Sequence, residues 1–435
     1  MRIGLDPEIA IVSKKTGLAR SAHLFINEKK VFNFHYDDGS GNMPGSEVER
    51  DGAAIEIRSI VPSVCRDNII PYVAEALRQT QLDLDKWGKK AYALSTTPLY
   101  ELDDESLKDP PEDVVEFGCR PDLSAYSLDV KDPACPEGDK RRFTGGHIHY
   151  STMKAKNNVQ QQAAIAILYD YFIVVPMVAI LGEKFALGET ERRQFYGQPG
   201  SFRYDDSLDK IEFRTLSGRL MLHPTLLYWV LGAMKSLYSN VRAEIVNQSL
   251  ERDYVYSNVR AEIVNQSLER DYVSFLKDYI IASYSPDLIH KVIIEHDWEQ
   301  AEDITLNIFK LLPSYQVREQ DLANPLSGGG GGTMNPYFYE QAARVFIEGN
   351  KVGLMWDDDL VKNWGLYKDY EPKHHSYWGV QQAMVGLCDS DIFPFNEILP
   401  KIWPTELLQK TPLYTHPLNG GDKRYVTAGA AHWLQ

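Results

Sequence analysis

Charged side chains recur at every second position inside otherwise apolar runs of this chain. The clearest runs are Ala54-Ile55-Glu56-Ile57-Arg58, Gly146-His147-Ile148-His149-Tyr150 and Ile211-Glu212-Phe213-Arg214. Residues i and i+2 of a strand point to the same face. Glu56 therefore shares a face with Arg58, His147 with His149, and Glu212 with Arg214. The apolar neighbours take the other face. Unpaired charges in an apolar core cost several kcal/mol, so a core on both faces is excluded. Several such strands side by side would line one sheet face with Glu, His and Arg, whereas any one Glu-x-Arg strand alone reads as a surface ion pair. Asp6-Pro7-Glu8, inside the apolar N-terminal run, is a further polar interruption and on its own reads as a turn or bulge.

The surrounding pattern predicts an α+β fold with a mostly antiparallel sheet, since strands and helices interleave without regular βαβ alternation. Residues 1 to about 60 are β-rich, with a break at Asp6-Pro7 and a hairpin turn at Asp51-Gly52. Residues 66–87 form an amphipathic helix with Ile69, Val73, Ala76 and Leu77 on one face. Residues 101–114 are an acidic, solvated loop. A second β block covers 116–126 and 143–150, followed by a helix from about 158 to 181, a strand at 210–216 and helical pattern over 224–282. The most apolar stretch, Tyr169–Leu181, has about 13 residues against the roughly 20 of a bilayer span, and reads as a buried core element.

Two segments stand apart. Tyr238–Val255 and Tyr256–Val273 are the same 18 residues in tandem. At 3.6 residues per turn this is five whole turns, so a helix would lengthen by about 27 Å without rotating its apolar face. The run Asn324–Thr333 contains five consecutive glycines and marks a linker or loop. No Lys-Ser/Thr follows it, which excludes a P-loop. The expected organisation is a catalytic core at 1–235, a helical extension at 236–323, the glycine-rich segment at 324–333 and a C-terminal region at 334–435. The chain beyond residue 275 is rich in tryptophan, from Trp298 to Trp433, which reads as aromatic packing or as a binding face.

Among 435 residues, 46 basic and 61 acidic side chains give a net charge of −15. This disfavours a nucleic-acid backbone or an anionic membrane surface as partner. The four cysteines form no CxxC pair, and no apolar leader follows the N-terminus, so a reduced, cytoplasmic protein is expected. Carboxylates and imidazole on one face suit Mg²⁺ or Mn²⁺. Arginines beside them suit phosphate oxygens. Arg192, Arg193 and Arg203 fall within 13 residues of an acidic chain, and this run reads as a loop over a polyphosphate. Metal with a phosphate clamp is the inventory of phosphoryl transfer.

The order DPE, IEIRS, FGCRPDLSAY, TGGHIHY, ERRQFYGQPGSFRY, IEFRTLS resembles the phage-type carboxylate–amine ligases (amidoligase family, type 2) of the glutamine-synthetase-like superfamily. The resemblance covers about residues 1–235. It departs at Arg120, where the family reads an aspartate. It implies a curved antiparallel sheet around an ATP site, with a carboxylate joined to an amine through an acyl phosphate. It further implies Glu8, Glu56, Glu212 and His147 or His149 as ligands of Mg²⁺ or Mn²⁺. Arg192, Arg193, Arg203 and Arg214 become phosphate-contacting groups, and Asp122 becomes the base for the amine. Small-molecule or peptide acids and amines would be the partners, in the host cytoplasm if the protein is phage-encoded, with a homo-oligomer in keeping with related synthetases. A metal-dependent hydrolase or kinase on the same face, and a phage assembly protein retaining the fold, are the alternatives.

Overall fold

The computed structural model describes residues 2–26, 30–33, 45–59, 66–115, 122–131, 138–151, 159–205, 210–238 (except 225 and 228), 241, 275–312, 315, 336–351, 356–366, 413–415 and 424–426. The glycine run, the four cysteines, the His374-His375 pair and nearly all of the tandem duplication lie outside these residues.

The fold is α+β. Its strands are β1 (Arg2–Ser13), β2 (Ala19–Arg20), β3 (Lys30–Asn33), β4 (Gly45–Asp51), β5 (Ala54–Ser59), β6 (Tyr92–Ser95), β7 (Leu99–Glu101), β8 (Asp122–Ser124), β9 (Val130–Lys131), β10 (Arg141–Phe143), β11 (Gly146–Ser151), β12 (Ser201–Asp205), β13 (Lys210–Phe213), β14 (Leu413–Thr415) and β15 (Arg424–Val426). Eleven of them make one sheet in the order β3-β4-β5-β1-β11-β13-β12-β8-β9, with β2 and β6 also paired to β1. The pairings between these strands are antiparallel. β1 runs unbroken through Asp6-Pro7, with Pro7 opposite Gly146, so the expected break is absent.

Alternation sorts the two faces. Leu5, Ile148, Phe213 and Phe202 form one cross-strand row, and Ile3, Tyr150 and Ile211 form the next. Both rows are buried. The sheet packs against two helices: α1 (Arg66–Trp87) lies against β4, β5 and β6, and the long apolar helix α2, which comprises Val159–Tyr169, a π-helical turn at Asp170–Val174 and Val175–Leu181, lies against the apolar rows. Ile69, Val73, Ala76 and Leu77 of α1 are all buried, as the periodicity predicts. Tyr169 of α2 meets Tyr150 and Phe213 edge-on at centroid distances of 5.1 and 5.5 Å.

Helix α2 is long and apolar enough to cross a membrane, but it lies almost wholly inside the protein. An all-round apolar helix is what a core position requires. The core does not stop at the boundary read near residue 235. One apolar cluster runs from Ile3 to Leu366 and takes in the helices Pro286–Glu295, Trp298–Ile308 and Pro336–Lys351. Trp356 and Trp364 are buried in it, and the Trp364 indole donates to the Met221 carbonyl at 2.7 Å. For these two tryptophans, packing is the outcome.

Candidate metal and phosphate site

The remaining face of the sheet collects the polar residues. Cross-strand register places Glu49, Glu56 and Glu8 in one row, Asp6 opposite His147, and His149, Glu212 and Arg203 in another. The strands that carry them are up to two hundred residues apart in sequence. Directly opposed residues share a face, so the period-two reading of each strand is realised as one continuous surface.

At its centre, Asp6, His149 and Glu212 bring one ligand atom each within 4.8 Å of one another. His149 Nε2 lies 2.5 Å from Asp6 Oδ2. Two carboxylate oxygens and an imidazole nitrogen are a donor set for Mg²⁺ or Mn²⁺. His147 sits one residue pair away, with Nδ1 3.5 Å from Glu212 Oε1 and Nε2 3.8 Å from Glu8 Oε1. Glu8 and Glu56 face each other across β5 and β1 but stand outside the compact three-residue group. Glu8 Oε2 accepts the Gly145 amide at 2.7 Å, and Glu56 pairs with Arg58 at 2.8 Å.

Burial dominates the electrostatics of this face. It pushes the Glu8 carboxyl up to about 8, with the negative charge of Asp51 adding to the effect. Burial also raises Glu56, helped by Asp6, and raises Asp51. Several carboxylates packed into low dielectric favour protonation or a cation. A divalent ion would relieve this, so the residues present fit one.

The arginines divide into two groups. Arg214 reaches Asp122 through Nε at 2.8 Å and also bonds Glu212, and it is buried beneath them. Arg203 lies 3.3 Å from Asp122 and 4.0 Å from Glu212, with a quarter of its side chain exposed. Both therefore belong to the polar face. Burial raises the Asp122 carboxyl, although both guanidinia oppose the shift.

Arg192 and Arg193, expected to contact phosphate from a loop, instead make their bonds to protein groups. They end helix α3 (Ala186–Arg193) and are not in a loop. Arg192 is fully buried, and its guanidinium donates to the carbonyls of Thr144 at 2.9 Å, Thr215 at 3.0 Å and Leu216 at 2.8 Å. Arg193 is buried against Glu189 at 3.2 Å and donates to the Ile293 carbonyl at 2.8 Å. Adjacent helical residues point about 100° apart, so the two arginines staple different neighbours. These donors hold protein groups together.

Two residues of the site carried no assigned role in the sequence. Asp6 lies two residues before Glu8 and obeys the same alternation, but Pro7 between them suggests a turn. Tyr196 lies within the arginine-rich run, and its hydroxyl bonds both His147 and Arg214. The glycines before the histidines have a steric reason. A Cβ on Gly146 would lie 2.2 Å from the Ser217 carbonyl oxygen. No family model matches this chain, and no curated protein matches it.

Proposed function

We propose that the protein is an ATP- and Mg²⁺- or Mn²⁺-dependent ligase joining a carboxylate to an amine, built on a glutamine-synthetase-like core. The observation that carries this reading is the single polar sheet face on which Asp6, His149 and Glu212 adjoin Arg203, Arg214 and Asp122. The motif order shared with the amidoligases adds to it.

Asp6, His149 and Glu212 would hold the divalent cation, which when bound offsets the negative charge of phosphate oxygens. Arg203, the more exposed arginine of the pair, orients the transferred phosphoryl group. The substrate carboxylate oxygen attacks the γ-phosphorus of ATP, and ADP leaves. The amine nitrogen then attacks the acyl carbon of the acyl phosphate, the C–O bond to phosphate breaks, and the amide forms. Asp122 takes the proton lost by the amine, and a carboxyl raised by burial is the better base for it. Arg214 holds Asp122 and Glu212 in place between the two half-reactions.

One observation favours a second reading. With Arg192 and Arg193 committed to protein groups, fewer arginines are left for a triphosphate, and a metal-dependent hydrolase of another bond needs no triphosphate clamp. ATP turnover by the full chain with Mg²⁺, across a panel of carboxylates and amines, separates these. ADP release that requires both an acid and an amine is the expected result. Release without an amine assigns a kinase or an ATP hydrolase. Folded protein that binds no nucleotide overturns the reading.

A further inference from the structure

We infer that Tyr196 is a positioning residue that fixes the His147 ring as a donor toward Glu212 and so leaves the cation to His149, an inference that rests on the cation site proposed above. The Tyr196 oxygen is within hydrogen-bond reach of His147 Nε2 and, at 2.5 Å, of Arg214 Nη2. A guanidinium can only donate, so Arg214 gives its hydrogen to the phenol oxygen. The phenol hydrogen is then directed to the partner able to accept it, His147 Nε2. An imidazole accepting at Nε2 carries its hydrogen on Nδ1, and Nδ1 is the atom that faces Glu212 Oε1 at 3.5 Å. Both ring nitrogens of His147 are thereby engaged by the protein. His149 instead belongs to the compact group with Asp6 and Glu212.

The phenol is well held for this task. Tyr196 is buried, and its ring lies against the guanidinium of Arg192 at 4.9 Å and that of Arg214 at 5.4 Å from the centroid. His147 meets the ring edge-on. Tyr196→Phe would keep the ring between the arginines and remove only the hydroxyl.

The test uses the full-length chain labelled with ¹⁵N-histidine, and Mn²⁺ alone as the probe. In the wild type, the His147 signals, assigned by their loss in His147→Gln, are expected to show the Nδ1–H tautomer. Tyr196→Phe should abolish that signature and weaken Mn²⁺ binding by about 10-fold or more, the usual effect of removing an outer-shell partner. An Nε2–H tautomer in the wild type overturns the inference, as does a folded Tyr196→Phe that binds Mn²⁺ at wild-type affinity. If Tyr196→Phe does not fold, the two histidine variants decide. His149→Gln should lose Mn²⁺ binding and His147→Gln should only weaken it; the reverse order overturns the inference. A wild type that binds no Mn²⁺ defeats the cation reading, while the tautomer still tests the role of Tyr196.

Discussion

Alanine at position 197 should destabilise the protein through a residue five positions earlier. Gly197 has φ +64°, where an L side chain costs roughly 1–2 kcal/mol. A Cβ there would also lie 2.2 Å from Arg192 Nη1 and 2.4 Å from Nη2. The guanidinium would have to withdraw from the Thr215 and Leu216 carbonyls that those nitrogens hold. Each hydrogen bond to a charged donor is worth about 1.5–3 kcal/mol. Gly197→Ala should therefore cost about 5 kcal/mol in the wild type. In an Arg192→Met background the guanidinium is gone, and the same alanine should cost only the backbone strain, about 1 kcal/mol. The coupling of about 4 kcal/mol is read from a double-mutant cycle of urea unfolding. Equal penalties in the two backgrounds would refute the role of Arg192 as a staple between the turn preceding β11 and the segment after β13.

Arg193→Ala should destabilise by about 3–5 kcal/mol, because it removes the guanidinium that pairs with the buried Glu189 carboxylate and leaves the Ser217 hydroxyl as its hydrogen-bond donor; urea unfolding checks this, and wild-type stability with impaired nucleotide binding would support the phosphate role. Glu212→Gln should leave the urea midpoint near that of the wild type and weaken Mn²⁺ binding at least 10-fold by calorimetry; unchanged affinity would remove Glu212 from the site. Burial pushes the Asp170 carboxyl up from its usual 3.8 to about 7. Its favourable contribution is full below pH 3.8 and is lost as pH rises through 7, about 4 kcal/mol over that window. In Asp170→Asn this slope should disappear, so the variant gains on the wild type between pH 4 and 8; parallel stability–pH curves for the two proteins would contradict it.

Much of the site was legible from alternation alone, since strand geometry ties residue spacing to facing whatever the strand pairs with. That is why Glu56 and Arg58, His147 and His149, and Glu212 and Arg214 could be grouped before any strand order was known. The periodicity of α1 and the apolar helix α2 were legible for the same reason: each reports on its own backbone. Asp6 was obscured by Pro7, which reads as a break but is accommodated within β1 opposite Gly146.

The sequence by itself determined which side chains share a face of each strand, and that the sheet would have one polar side. Only the tertiary structure decided which strands are neighbours, and so that Asp6 joins His149 and Glu212 while Glu8 meets Glu56. It alone decided that Arg192 and Arg193 donate to backbone carbonyls, because those carbonyls come from 22 to 100 residues away. Local spacing sets the direction of a side chain relative to its own backbone, whereas its burial and its partners are set by contacts between segments remote in sequence.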